Sequence, residues 1–117
     1  MASDIKPFTA TIASGGSLSG AVSLGGYVPF LLVMPAGWDT AGLTFQVTYD
    51  GSSWVNLYDT GGEYSISSSV VGASRAIAIL GAELFLGAIG IKIRSGTAGT
   101  PVTQTAERSI IVQAREL

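Results

Sequence analysis

Residues 43–59 read LTFQVTYDGSSWVNLYD, and nowhere else does the chain alternate so cleanly. Leu43, Phe45, Val47 and Tyr49 are interleaved with Thr44, Gln46 and Thr48. A period of two sends one set of side chains to a core and the other toward polar surroundings, as in a half-buried strand. Asp50-Gly51-Ser52-Ser53 then supplies residues that tolerate a tight reversal, and Trp54, Val55 and Leu57 begin an apolar return. The stretch is therefore expected to form a β-hairpin. Because Trp54 opens the return strand directly after the turn, its ring is expected in the core.

Similar strand signals lie on both sides. Upstream, FTATIA (8–13) alternates behind Pro7, with residues 1–7 expected as an N-terminal arm. LSGAVSL (18–24) is a weaker strand, thinned by Gly20 and small side chains. YVPFLLVM (27–34) is apolar on both faces, so it is expected to be covered on both. Pro29 lacks an amide donor, which places it near the strand's start or else makes the strand an edge that another chain covers. Downstream, EYSIS (63–67) follows a Thr60-Gly61-Gly62 turn, residues 75–79 are strand or the approach to a helical turn, and GAELF (81–85) has room for a short helix whose Leu84 and Phe85 plug the barrel. AIGIKIR (88–94) points Ile89, Ile91 and Ile93 inward and Gly90, Lys92 and Arg94 outward, and SIIVQA (109–114) closes the fold. Residues 95–105 are loop, at a length where loops tend to carry function. About eight strands between turn signals, without a fixed repeat, predict a single-domain, all-β antiparallel sandwich over residues 1–117, with jelly-roll connectivity.

Composition narrows function by exclusion. Of the 117 residues, 47% are hydrophobic and 12% charged, about half the usual charged share. Mean hydropathy is +0.47. From residue 7 to residue 38 there is no Asp, Glu, Lys or Arg. So long an uncharged run is expected to be covered partly by the fold and partly by other subunits. Net charge is −2 and the six basic residues are dispersed, so nucleic acid is not an expected partner. Neither 28–34 nor the Gly- and Glu-interrupted 76–91 reaches the roughly 20 apolar residues of a membrane span, so no membrane partner is expected. Met1 to Lys6 lacks the basic start and apolar run of a signal peptide.

With no His and no Cys, a His-activated nucleophile and the common zinc sites are both excluded. The acids are scattered, and a chain of this size rarely holds the cleft that a glycosidase pair needs. No enzymatic activity and no cofactor are expected. Asp50, Asp59 and Glu63 flank neighbouring turns and have the hard oxygens that calcium prefers, but they follow no EF-hand spacing and read as solvated turn acids. Gly15-Gly16, Gly25-Gly26 and Gly61-Gly62 lack the Lys and spacing of a phosphate cradle. For a sugar, the candidate stacking surfaces are Trp38, Trp54 and Tyr58, near strand ends. Trp38, on a Pro- and Gly-bounded loop, is equally compatible with core and contact.

Two resemblances go further. LTFQVTYDGSSWVNLYD with IGIKIRSG resembles discoidin-type domains, jelly-roll sandwiches that bind sugars or lipid heads through end loops; those loops have no counterpart here. PFLLVMPAGWDTAGLTFQVTYDG, SRAIAI and IKIRSGTAGTPVTQTAER are similar to small structural proteins of tailed bacteriophages. That likeness implies a virion component assembled in the bacterial cytoplasm, most simply a capsid decoration protein that binds the major capsid protein or another virion structural protein as a homo-oligomer, a trimer in the usual arrangement. The alternative it leaves is a carbohydrate-binding module of a tail, neck or fibre. Phe8, Tyr27, Pro29, Phe30, Trp38, Thr97 and Pro101 are the expected protein contacts.

Overall fold

The computed structural model describes residues 4–116. Along them run β1 (Ile5–Ile12), β2 (Val22–Ser23), β3 (Tyr27–Val33), β4 (Leu43–Thr48), β5 (Trp54–Asn56), β6 (Tyr58–Asp59), β7 (Gly62–Glu63), β8 (Ser65–Ile66), β9 (Ala76–Ala78), β10 (Gly90–Ser95) and β11 (Arg108–Glu116). One sheet has the order β1-β11-β3-β9 and a second β2-β10-β4-β5, with β8 pairing the start of β4. A small hairpin, β6-β7, stands apart. All pairings are antiparallel. With β6, β7 and β8 set aside, the first, third, sixth and eighth of the remaining strands share one sheet and the others the second. This is the jelly-roll sandwich that the turn spacing predicts.

The alternation at residues 43–48 is obeyed in phase but not in burial. Thr44 and Thr48 on the outer face are as buried as Leu43 and Phe45, and Val47 is half-buried. Tyr49, expected on the core face, lies past the strand's end and is 66% exposed. Leu43 and Phe45 are fully buried between the sheets, facing Ala10, Ile12, Leu32, Ile110 and Val112 of the first sheet. Ile91 and Ile93 of β10 complete the second sheet's contribution, each with no exposed surface. Burying side chains of this size contributes roughly 1.5–3 kcal/mol apiece. A single 3-10 turn, Ala82–Phe85, lies against β3 and inserts Phe85 between the sheets, where its ring meets Phe45 at 5.2 Å. This is the expected plug, with Phe85 buried and Leu84 half-buried.

Several boundaries differ from expectation. Residues 5–7 are not an arm: they are the first residues of β1, paired with Gln113–Arg115, while residues 1–3 lie outside the described residues. Pro7 fits mid-strand because β1 is an edge. The Thr11 carbonyl accepts from Gly20 on the free side, so position 7, in phase with it, directs its missing donor away from β11. The strand expected at 18–24 shrinks to two residues plus a bridge from Leu18 to Arg94, since Gly20 and its small neighbours have little to pack. β3 is not an edge, because it lies between β11 and β9. It accommodates Pro29 through a bulge: Leu31 faces Gln113, Pro29 faces Ala114, and Phe30 is left over between them.

Candidate functional site

The two outer faces of the sandwich differ in chemistry. On β1, β11, β3 and β9 the inward positions fill the core, so the intervening ones face out in cross-strand rows. One row is Thr9, Ile111, Val33 and Ala76; the next is Pro7, Gln113, Leu31 and Ala78. Neither row carries an ionisable group. Phe30, Ile111 and Ile5 are 38%, 39% and 58% exposed, large apolar side chains in water. A shallow groove runs between Ile5, Phe30, Leu31 and Arg115, and Gln113 lies along it. The Oε1 of Gln113 is shielded from solvent and accepts no hydrogen bond.

The second sheet's outer face is polar. Lys92, Gln46 and Asn56 form one row, and Arg94, Thr44 and Ser65 the next. Arg94 is nearly enclosed. Its guanidinium donates to Asn56 Oδ1 at 2.8 Å, to Thr44 Oγ1 at 3.3 Å and to Glu63 Oε2 at 3.3 Å. Glu63 also accepts from the Ala98 amide, tying the loop after β10 to the β6-β7 hairpin. Trp54 is on this outer face rather than in the core. Its register partner Thr48 is an outward position, Gly90 leaves room for the ring, and Lys92 Nζ stands 4.6 Å from the ring centre.

The seven expected protein contacts do not form one surface. Phe8 and Tyr27 meet edge to face at 5.9 Å, with Lys6 over both rings, at the end of the sandwich where β3 begins. Thr97 and Pro101 are exposed at the opposite end, where β10 finishes. Trp38 is at that end too, half-buried against the core with its Nε1 donating to the Ala41 carbonyl at 3.1 Å. Phe30 is on the apolar face. Pro29 is buried within the chain, because the bulge turns Phe30 outward in its place. The sugar candidates are also divided. Trp38 precedes β4 and Trp54 follows it, so roughly 17 Å of strand separates their neighbourhoods. Tyr58 stands exposed on the β6-β7 hairpin.

Pattern reading missed Ile111 and Gln113, while Leu31 lies in the strand 27–34 that it had marked. Its signal was present: SIIVQA alternates poorly because both of its faces are partly apolar.

The turn acids are engaged within the fold. Asp50 Oδ1 accepts from the Ser52 and Ser53 amides at 2.9 and 2.7 Å, Asp59 Oδ1 accepts from Gly61, and Glu63 is taken up by Arg94. No group of three or more potential metal ligands occurs among the described residues. Asp39 accepts from the Thr105 amide at 2.6 Å and lies 3.4 Å from Arg108, while buried Gln104 bridges the same loops. The Thr105 hydrogen bonds first, and Arg108 after them, hold the Asp39 carboxyl below its ordinary range. The Ser53 and Ser52 amides lower Asp50 to about 2.

The Asp50 shift has a testable sign. A carboxyl depressed in the folded state stabilises above its unfolded pKa of about 3.9, and the gain disappears as pH falls toward the folded value. Asp50→Asn is expected to melt below the wild type at pH 7, and the gap between them should close between about pH 4 and 2. Thermal scans across that range check this; a gap that stays constant down to pH 2 contradicts it.

No family model matches the chain, and no curated protein matches it. Solved structures do. The SPBc2 prophage-derived protein YomS is similar with a TM-score of 0.56 at 9% identity, over 99% of this chain and 96% of that one. A chitosan-binding module from a Paenibacillus sp. IK-5 chitosanase/glucanase has a TM-score of 0.41 at 18% identity, over 91% of this chain and 74% of that one. A pectin-binding carbohydrate-binding module has 0.38 at 10%, over 100% and 91%. At these identities the likeness concerns fold alone: the chain is a small two-sheet β-sandwich similar in architecture to a prophage-derived protein.

Proposed function

We propose that this protein is a structural subunit of a tailed-bacteriophage particle, a capsid decoration protein that sits on the major capsid shell and adds contacts between shell subunits. The observation that carries the reading is the outer face of the first sheet, whose two middle cross-strand rows are uncharged and which exposes Ile5, Phe30 and Ile111, an apolar surface that a protein working alone in water has no use for. The resemblance of residues 29–51 and 91–108 to phage structural proteins supports it, as does a fold shared with a prophage-derived protein. The chain acts by binding, with no catalytic step and no cofactor, and resides in the virion. The exposed ends, with Phe8 and Tyr27 at one and Thr97 and Pro101 at the other, supply shell contacts whose individual weakness is offset by repetition over the particle.

A second reading, a carbohydrate-binding module of the tail, neck or fibre, has Trp54 in its favour: a half-exposed ring on a polar sheet, beside a groove lined by Val22, Ser23 and Ile89. Quantitative mass spectrometry of purified particles separates the two. A copy number approaching that of the major shell protein is expected for a decoration protein; a handful of copies per particle would move the chain to the tail or fibre.

A further inference from the structure

We infer that Trp54 and Lys92 form a subsite for an acidic sugar, a pyranose with one carboxylate whose ring stacks on the indole in the groove between β5 and β2. The inference goes beyond the decoration reading and rests on the second, carbohydrate reading for its ligand class.

The outward row Ser23, Gly90, Thr48 and Trp54 crosses the four strands of the second sheet. From β5 the indole reaches over Thr48 toward β10, so that a Cβ at Gly90 would stand 3.3 Å from its Cη2. The groove beside it has the ring as one wall and Ala21–Ser23 as the other, and Gly51 and Gly90, without side chains, keep its bed low. At about 180 Å³ it lies below the roughly 300 Å³ where pockets for drug-sized ligands begin, and it takes one small ring. A pyranose combines a C–H face, which suits an indole, with a rim of hydroxyls, which needs polar neighbours.

Those neighbours are in the adjacent row, where Lys92, Gln46 and Asn56 are all half-buried. Asn56 Oδ1 accepts from Arg94 and from Gln46 Nε2. Among the described residues this leaves Asn56 Nδ2 as an unspent donor and Gln46 Oε1 as an unspent acceptor. On the opposite wall the exposed Ser23 hydroxyl can act as either.

Charge selects the sugar. The strands of this sheet carry two cations, and Glu63 neutralises Arg94. Lys92 forms no ion pair among the described residues, and its ammonium rests 4.6 Å from the centre of the Trp54 ring. A carboxylate on the rim of a stacked pyranose lies within the swing of the flexible lysine stem and supplies the missing counter-charge. Asp50, in the turn beside the groove, is already compensated, since its Oδ1 accepts from the Ser52 and Ser53 amides and the Thr48 hydroxyl. A nucleotide would bring several phosphate charges to one ammonium on a chain of net charge −2, and it exceeds the groove.

The chain's two tryptophans make the test direct. Two-dimensional proton–nitrogen NMR resolves their indole N–H signals, and Trp38, bonded to the Ala41 carbonyl, is the internal control. The probes are methyl β-glucuronide, methyl β-galacturonide and the corresponding neutral glucoside and galactoside. At least one uronide is expected to shift the Trp54 signal with about fivefold higher affinity than its neutral counterpart, a preference that about 0.5 M salt removes. Lys92→Met, which keeps an apolar stem beside the ring, should make uronide and glycoside equal. Trp54→Ala, followed by saturation transfer to the sugar protons, should weaken both by about tenfold, with an unchanged Trp38 signal showing that the variant is folded. Equal wild-type affinity for uronide and glycoside would overturn the acidic preference and leave the carbohydrate reading standing. No shift at Trp54 with any of these sugars, or equal shifts at Trp38, would overturn the site and take the ground from the carbohydrate reading. The decoration reading, which depends on copy number, would be untouched by either result.

Discussion

Phe45→Ala is expected to destabilise the protein by about 3–5 kcal/mol, the range for removing a fully buried aromatic ring and leaving a cavity. Phe45 has no exposed surface and joins three parts of the chain. Its ring lies 5.2 Å from Phe85 in an edge-on arrangement and 5.7 Å from Tyr64, and those two are themselves 6.0 Å apart. The cluster links the middle of β4 to the 3-10 turn and to the residue before β8. Deleting the central ring would leave Phe85 without its partner on β4, with Tyr64 the remaining aromatic contact of the turn. Urea unfolding monitored by tryptophan fluorescence measures the loss. A change below about 1 kcal/mol would mean that the sandwich closes over the gap, contrary to the close packing expected of a core.

Removing Glu63 should have the second largest effect, about 3 kcal/mol, because breaking a largely buried ion pair leaves a charge without compensation. Side-chain exposures of 8% for Arg94 and 17% for Glu63 place the pair well inside the surface. With Glu63→Ala, the guanidinium keeps Thr44 and Asn56 but has no counter-charge, and the Ala98 amide loses its acceptor. Replacing both members, Arg94→Met with Glu63→Leu, should cost less than the two single changes added together, since no charge is then stranded. A double-mutant cycle gives the coupling directly. Strict additivity would show that the pair is solvated and contributes little.

These two predictions rest on features of unequal legibility. Phe45 as core follows from alternation alone: polar Thr44 and Gln46 on either side leave only one inward phase. Phe85 was legible as an apolar plug after a glycine. Arg94 was legible only as outward-facing. Its enclosure comes from Glu63 and Asn56, 31 and 38 positions away, and nothing in IGIKIRSG announces that another segment lies across it. Trp54 shows the opposite error. Its position after a turn suggested the core, but the outward phase of its register partner Thr48 and the absence of a side chain at Gly90 put the ring outside.

The candidate surface was half visible. The uncharged run from residue 7 to residue 38 marked the region, and Phe30 was singled out within it. Ile111 and Gln113 come from the far end of the chain and reach the same face only because β11 inserts between β1 and β3.

From its sequence alone this chain is an antiparallel β protein with a Phe45, Ile91 and Ile93 core and without the His and Cys that a His-activated nucleophile or a common zinc site requires, because period-two patterning and residue counts are local, countable properties. The order of the strands across each sheet, and with it the division into one neutral apolar face and one polar ion-paired face, depends on pairings between residues up to about a hundred positions apart. Such pairings are fixed by packing the whole sandwich at once, so the two contrasting faces exist only in the folded molecule.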